Sequence, residues 1–224
     1  MIKAVFFDWG HTITKSDFVD TEAKLNDLLE PYNLNWKSFY PFWRSVYILR
    51  SLGRIKSDEE MFDWLKKILQ KDIPIKKLCE IRINSYIIPK ENIETVKELK
   101  KDYKVGVLSN NVKEWVDRNL RDYKIEGLFD AVIISSEVGA RKPNAEIYTA
   151  ALKALSVKPE ETVFIADEVA EDLVGAKGCG IKTIWLDTDL KKEWNKSDRE
   201  IAELFKPDAT VKNLKEVIPI IKNM

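Results

Sequence analysis

Lys3-Ala4-Val5-Phe6-Phe7 (KAVFF) is a short apolar run that stops at a carboxylate, Asp8, and this pattern recurs along the chain. Lys104–Leu108 (KVGVL) stops at Ser109, Ala131–Ile134 (AVII) at Ser135, Thr162–Ala166 (TVFIA) at Asp167 and Lys182–Leu186 (KTIWL) at Asp187. Each run has the length of a buried strand and is rich in β-branched and aromatic residues. Helical stripes lie between them: Ile93, Val96 and Leu99; Val112, Trp115, Val116 and Leu120; Ile147, Ala151 and Leu155; Val169, Leu173 and Ala176. Leu214, Val217, Ile218 and Ile221 mark a last helix. Strands alternating with helices predict a doubly wound α/β fold with a mostly parallel, Rossmann-like sheet covered on both faces. Such sheets bind ligands at the carboxyl ends of their strands, where the terminal polar residues gather.

One stretch breaks the alternation. Between the first run and the second lie about ninety residues without a convincing strand, too many for one crossover helix. They read as four helices, at about Phe18–Glu30, Trp36–Leu52, Asp58–Leu69 and Ile75–Tyr86. The expected division is therefore an α/β core of residues 1–14 and 88–224 with an inserted helical cap subdomain of residues 15–87. The dense aromatics of the insert, Trp36, Phe39, Tyr40, Trp43, Tyr47 and others, read as packing of that small unit.

Bulk composition narrows the function classes. There are 37 basic and 37 acidic side chains in 224 residues, so no long-range field favours nucleic acid or an anionic membrane. No apolar run approaches a membrane span, and the first ten residues do not resemble a signal peptide. Cys79 and Cys179 lack metal-ligand spacing and read as unlinked thiols in a reducing compartment. A cytoplasmic location is the expectation, with no membrane or nucleic-acid partner.

Taken singly, the polar strand ends admit bland readings. Asp8 could sit in a turn, Ser109 and Asn110 could cap the next helix, Lys142 could be solvated and Asp167 could be a helix cap. Together they match a family. The chain resembles the haloacid dehalogenase (HAD) superfamily through four motifs in that family's order: Phe7-Asp8-Trp9-Gly10-His11-Thr12-Ile13; Leu108-Ser109-Asn110-Asn111; Gly139-Ala140-Arg141-Lys142-Pro143-Asn144; and Phe164-Ile165-Ala166-Asp167-Glu168 with Asp172 following. The helical insert after the first motif resembles the family's helical cap.

The resemblance implies a Mg²⁺-dependent hydrolase acting on a small phosphorylated molecule. Asp8 would be the nucleophile and form an aspartyl-phosphate. Trp9, Gly10, Ser109, Asn110 and Lys142 would form the phosphate-binding set, with Lys142 neutralising charge. Asp8, Asp167 and the Gly10 carbonyl would hold Mg²⁺, and Asp172 and Glu168 would stand behind the metal or Lys142. In the loop Leu52–Ser57, Arg54 and Lys56 are candidates for meeting substrate from the cap. Whether the protein is a monomer or a homodimer stays open.

One position departs from the pattern. Phosphatases of this family carry a second aspartate two residues after the nucleophile, as acid and base; here Gly10 stands there. The protein could act on good leaving groups, or use His11, its only histidine, as the acid. It could be a metal-independent 2-haloacid dehalogenase, although Asp167 and Asp172 are acidic where that group tends to neutral residues. It could resemble phosphonoacetaldehyde hydrolases, which need a cap lysine that the sequence does not single out. It could also be a weakly active phosphate-binding relative.

Overall fold

The computed structural model describes residues 1–16, 18–188 and 196–224; positions 17 and 189–195 of the expected insert and core lie outside the described residues. Strand β1 (Ala4–Phe7) comes first. The short β2 (Lys15–Ser16) leads into α1 (Phe18–Leu29), α2 (Trp36–Ser51), α3 (Asp58–Leu69) and α4 (Ile75–Asn84), and β3 (Tyr86–Ile87) leads out. There follow α5 (Lys90–Leu99), β4 (Lys104–Ser109), α6 (Lys113–Asp122), β5 (Ala131–Ile134), α7 (Ser135–Val138) and α8 (Ala145–Leu155). The chain continues through β6 (Thr162–Ala166), α9 (Val174–Gly178), β7 (Lys182–Leu186), α10 (Lys196–Phe205), β8 (Ala209–Val211) and α11 (Val217–Lys222).

Six strands form one sheet in the order β5-β4-β1-β6-β7-β8, and every neighbouring pair is parallel. All five predicted strands are in it; β8 is a sixth, too short at three residues to show a pattern in sequence. Alternate side chains of β1 enter opposite layers. Val5 and Phe7 join the cluster with Val107, Val163 and Leu214, whereas Ala4 and Phe6 join Tyr148, Phe164 and Leu173. Both faces are covered, which is why the strands read as unbroken apolar runs. Strand order reverses around β1, flanked by β4 on one side and β6 on the other. The crevice at that switch point is where such sheets take ligands.

The four helices between β2 and β3 have a separate apolar cluster, including Leu25, Leu29, Phe39, Trp43, Met61, Leu65 and Leu78. Their starts are set locally. Asn35 accepts the Ser38 N–H ahead of α2, and Ser57 accepts the Glu60 N–H ahead of α3. The stretch is not free of strands, since Lys15 pairs with Ile87 and Ser16 with Tyr86 in an antiparallel ribbon. Two-residue strands carry no periodicity to read. The ribbon places the entry and exit of the helical stretch side by side. Across the gap, Trp43, Tyr47 and Trp115 stack with centroids 5.7–6.3 Å apart, bringing α2 against α6.

Candidate active site

Three loops leave the sheet at its switch point, and each delivers buried polar side chains. Asp8 follows β1, its N–H bonded to the Ile165 carbonyl at 2.9 Å; Ser109 ends β4; Asp167 follows β6. Lys142 arrives on the segment between α7 and α8, and Asp172 on the helical turn before α9. One carboxylate oxygen from each of Asp8, Asp167 and Asp172 lies within 4.8 Å of the other two. The Lys142 side chain is 1% exposed, and its ammonium lies 2.6 Å from Asp8 Oδ1 and 2.7 Å from Asp172 Oδ1.

The electrostatics follow from that geometry. Burial pushes the Asp8 carboxyl above its ordinary range; Lys142 pulls it down and Asp167 pushes it up again. Burial raises Asp172 further, with Lys142 opposing and Asp8 adding to the rise. For Lys142 burial acts downward, but Asp172 and Asp8 outweigh it and hold the ammonium above its usual value. Three buried carboxylates therefore face one buried ammonium, a deficit of two positive charges. Oxygen donors with that deficit fit a hard divalent cation. Thr12 Oγ1 donates to Asp167 Oδ1 at 3.3 Å, and the Trp185 indole N–H bonds the Asp167 carbonyl at 3.1 Å.

A cavity of about 180 Å³ opens over this cluster. Asp8, Gly10, His11, Ser109, Asn110, Lys142, Asp167, Glu168 and Asp172, all singled out from sequence, line it. His11 holds a left-handed backbone at φ 56°, which for a residue with a Cβ costs roughly 1–2 kcal/mol. It turns the chain sharply after Asp8, and its ring lies 6.3 Å from Tyr86.

Several expectations are corrected. The Trp9 side chain does not line the cavity. It is fully buried in the core beneath, edge-on to Phe129 at 6.5 Å, so only its backbone reaches the site. Asn110 does not present a free amide to a phosphate. Its Oδ1 accepts the Lys142 N–H at 2.8 Å, and its Nδ2 donates to the Lys142 carbonyl at 3.1 Å and to Glu171 Oε1 at 2.9 Å. Asn110 thus clamps the loop that carries Lys142. Neither Ser109 nor Asn110 caps α6, whose first N–H, from Lys113, is taken by Ser136 Oγ.

Arg54 and Lys56 are exposed and absent from the cavity lining. Their loop docks on the core instead. Gly53 has φ +66°, and a Cβ there would meet the Ser136 carbonyl oxygen at 2.3 Å, so this turn needs glycine on both counts. The insert presents other residues to the cavity: Tyr40, Trp43, Arg44 and Tyr47 from one face of α2, and Arg82 from α4. The spacing 40, 43, 44, 47 is a helical face legible in sequence, but nothing local says what it looks onto. Arg141 and Glu171 were also missed. They pair at 2.9 Å, and Arg141 reaches Ser51 Oγ on α2. Tyr47 donates to the Asn110 carbonyl at 3.0 Å, and burial holds its hydroxyl above its ordinary acidity range.

Known proteins are similar to this chain to different extents. The family model described as haloacid dehalogenase-like hydrolase matches residues 45–186. Pyrophosphatase PpaX of Bacillus cereus is 34% identical over 132 residues, 58% of this chain and 58% of its own. The chain thus spans under two thirds of the length of that curated relative. A HAD phosphatase from Thermococcus onnurineus superposes with a TM-score of 0.69 at 23% identity, over 98% of each chain. The L-2-haloacid dehalogenase from Xanthobacter autotrophicus, with chloropropionic acid covalently bound, gives 0.70 at 20% identity over 100% of each. At such identities these two likenesses concern the fold. With the model matched over more than half its length, the chain belongs to the haloacid dehalogenase-like hydrolase family.

Proposed function

We propose that the protein is a Mg²⁺-dependent hydrolase of small phosphate compounds that works through an aspartyl-phosphate on Asp8, in the cytoplasm. The observation that carries this is the buried Asp8–Lys142–Asp172 chain with Asp167 beside it, at the carboxyl ends of the central strands. Asp8 attacks phosphorus. Lys142 neutralises charge on Asp8 and on the transferring group, and Asp172 holds Lys142 in place. Ser109, buried at the end of β4, donates to a phosphoryl oxygen. Asp8, Asp167 and the Gly10 carbonyl would hold Mg²⁺, which supplies the positive charge that lets a phosphate enter among carboxylates. Glu168 stands behind this group.

Residues 15–87 act as a cap over a core of residues 1–14 and 88–224, keeping water from the reacting centre. The pyrophosphatase relatives support a phosphate compound as substrate. A haloacid dehalogenase on the same fold is the rival. The two extra carboxylates beside Asp8 disfavour it, because they would repel a haloacid carboxylate.

The test is hydrolysis of 4-nitrophenyl phosphate with Mg²⁺, with chelator, and by Asp8→Asn. Turnover that needs both the metal and Asp8 is expected. Turnover indifferent to chelator, or chloride release from 2-chloropropionate instead, would overturn the reading.

A further inference from the structure

The acids of the cavity are confined to one side, where Arg141 and Lys142 accompany them. Its five carboxylates, Asp8, Asp167, Glu168, Glu171 and Asp172, all come from the sheet side. The helical side contributes Arg44 and Arg82 among aromatic residues and no acid. Neither arginine is ion-paired to a carboxylate among the described residues. Arg44 Nη1 donates to the Tyr40 hydroxyl at 3.3 Å, and the Arg82 guanidinium lies 5.3 Å from the centre of the Trp36 ring. Neutral partners thus orient both cations without cancelling their charge. Glu171 and Glu168 reach Arg44 only as longer-range fields across the cavity.

Phosphoryl transfer is roughly in line, so the leaving oxygen lies opposite the attacking Asp8 and faces the helical side. An alkoxide leaving group needs a proton there. The helical wall carries no carboxyl or imidazole to give one: its guanidiniums do not release protons, and its Tyr47 hydroxyl is spent on the Asn110 carbonyl. What the wall does offer is fixed positive charge, which stabilises a departing anion without proton transfer. Gly10 adds to this. A Cβ there would meet only Asp8 Oδ2, at 3.9 Å, so packing leaves room for a side chain beside the nucleophile and none is present. A volume of about 180 Å³, or roughly six waters, suits a phosphoryl group with a small leaving group.

We infer that Arg44 and Arg82 cradle the leaving group, and that the protein prefers phosphate compounds whose leaving group departs as an anion (phosphoanhydrides, acyl phosphates and aryl phosphates) over alkyl phosphates. This rests on phosphoryl transfer to Asp8 as proposed above. An Asp8 carboxylate oxygen bonds to phosphorus while the bond from phosphorus to the leaving oxygen breaks, and the electron pair stays on that oxygen. Water then hydrolyses the acyl phosphate, restoring the Asp8 carboxylate and releasing phosphate, with the proton going to solvent.

The experiment compares kcat/KM of the Mg²⁺-supplied protein for pyrophosphate, acetyl phosphate, 4-nitrophenyl phosphate, phenyl phosphate and ethyl phosphate. The first three are expected to exceed ethyl phosphate by about 100-fold or more, the scale of missing general-acid help. Arg44→Ala and Arg82→Ala each lower the pyrophosphate value about 10-fold, the worth of one charged hydrogen bond, with unchanged melting temperature. Gly10→Asp narrows the gap by raising the ethyl phosphate rate. His11→Ala leaves the ranking of substrates as it was. A flat wild-type series overturns the inference while sparing the hydrolase reading, and it needs no variant to fold. A His11→Ala variant that selectively loses ethyl phosphate also overturns it, by making His11 the acid. If no compound is hydrolysed and no phosphate is incorporated at Asp8, the hydrolase reading falls and the inference with it.

Discussion

Asp172 Oδ1 lies 2.7 Å from Lys142 Nζ, and the same ammonium reaches Asp8 Oδ1 at 2.6 Å, so one buried cation is shared by two buried acids. Lys142 is held from behind by a residue five positions after Asp167, on a different loop.

Replacing Lys142 by Met leaves two buried acids without their cation. The loss of one partner from a buried ion pair costs about 3–5 kcal/mol. Urea unfolding of metal-free Lys142→Met should show a fall of that order. Adding Asp172→Asn to it should cost less than the single-site effects combined, since the two share one interaction. Strict additivity would mean that the pair does not act as a unit.

Mg²⁺ should raise the melting temperature, because an ion that binds only the folded state stabilises it by RT ln(1 + [L]/Kd), about 2.7 kcal/mol at a hundredfold excess over Kd. Asp167→Asn keeps one side-chain oxygen but removes the negative charge of a proposed ligand, and should lose most of that rise. Calorimetry with and without Mg²⁺ reads this without any assay of turnover. An undiminished shift in Asp167→Asn would place the ion elsewhere.

Arg50, nearly buried on α2, contacts Asp58 at 3.2 Å and Glu114 of α6 at 3.1 Å, and Asp58 also accepts the Trp115 indole N–H at 2.9 Å. Glu114 is 63% exposed, so solvent screens its share. Glu114→Gln should therefore change stability by less than about 0.5 kcal/mol. Asp58→Ala, which leaves the Trp115 N–H without its acceptor and Arg50 with the exposed Glu114 as its carboxylate partner, should cost about 1–3 kcal/mol. Denaturant midpoints of the two variants separate these cases; equal effects would contradict the assignment.

Asp130 gives a pH dependence of known sign. Burial acts to raise its carboxyl, but the Val105 N–H at 2.8 Å and the Lys100 ammonium at 2.9 Å outweigh it and hold the group below 3.8. A carboxyl lowered in the folded state contributes stability that is present above its unfolded value. That contribution disappears as pH falls through the folded value. Asp130→Asn should lower stability at neutral pH and flatten its decline below about pH 4. A parallel decline in both proteins would remove Asp130 from the acid limb.

Much of the fold is legible locally. Buried parallel strands must be apolar on both faces, so KAVFF, KVGVL and TVFIA announce themselves, and each stops at a polar residue that lines the cavity. Asn35 and Ser57 mark helix starts because unpaired backbone N–H groups need a side-chain oxygen there. Asp8, Ser109 and Asp167 each end or follow a recognisable run, but with Lys142 they were picked out as a set through the resemblance of four motifs to the family. β8 and the β2–β3 ribbon were not legible, since strands of three and two residues hold too few side chains to show alternation.

Sequence by itself determined the alternation of strands and helices, the insert with its apolar faces, and the acidic and basic residues gathered at the strand ends. Only the tertiary structure decided how the insert faces the sheet. It turned Arg44 and Arg82 towards the cavity and Arg54 and Lys56 away, set Trp9 into the core, and committed the Asn110 amide to the Lys142 loop. The physical reason is range. Apolar period and capping act within a few residues of chain, whereas the direction of a charged side chain depends on which distant surfaces pack together, and that is settled only when the whole core closes.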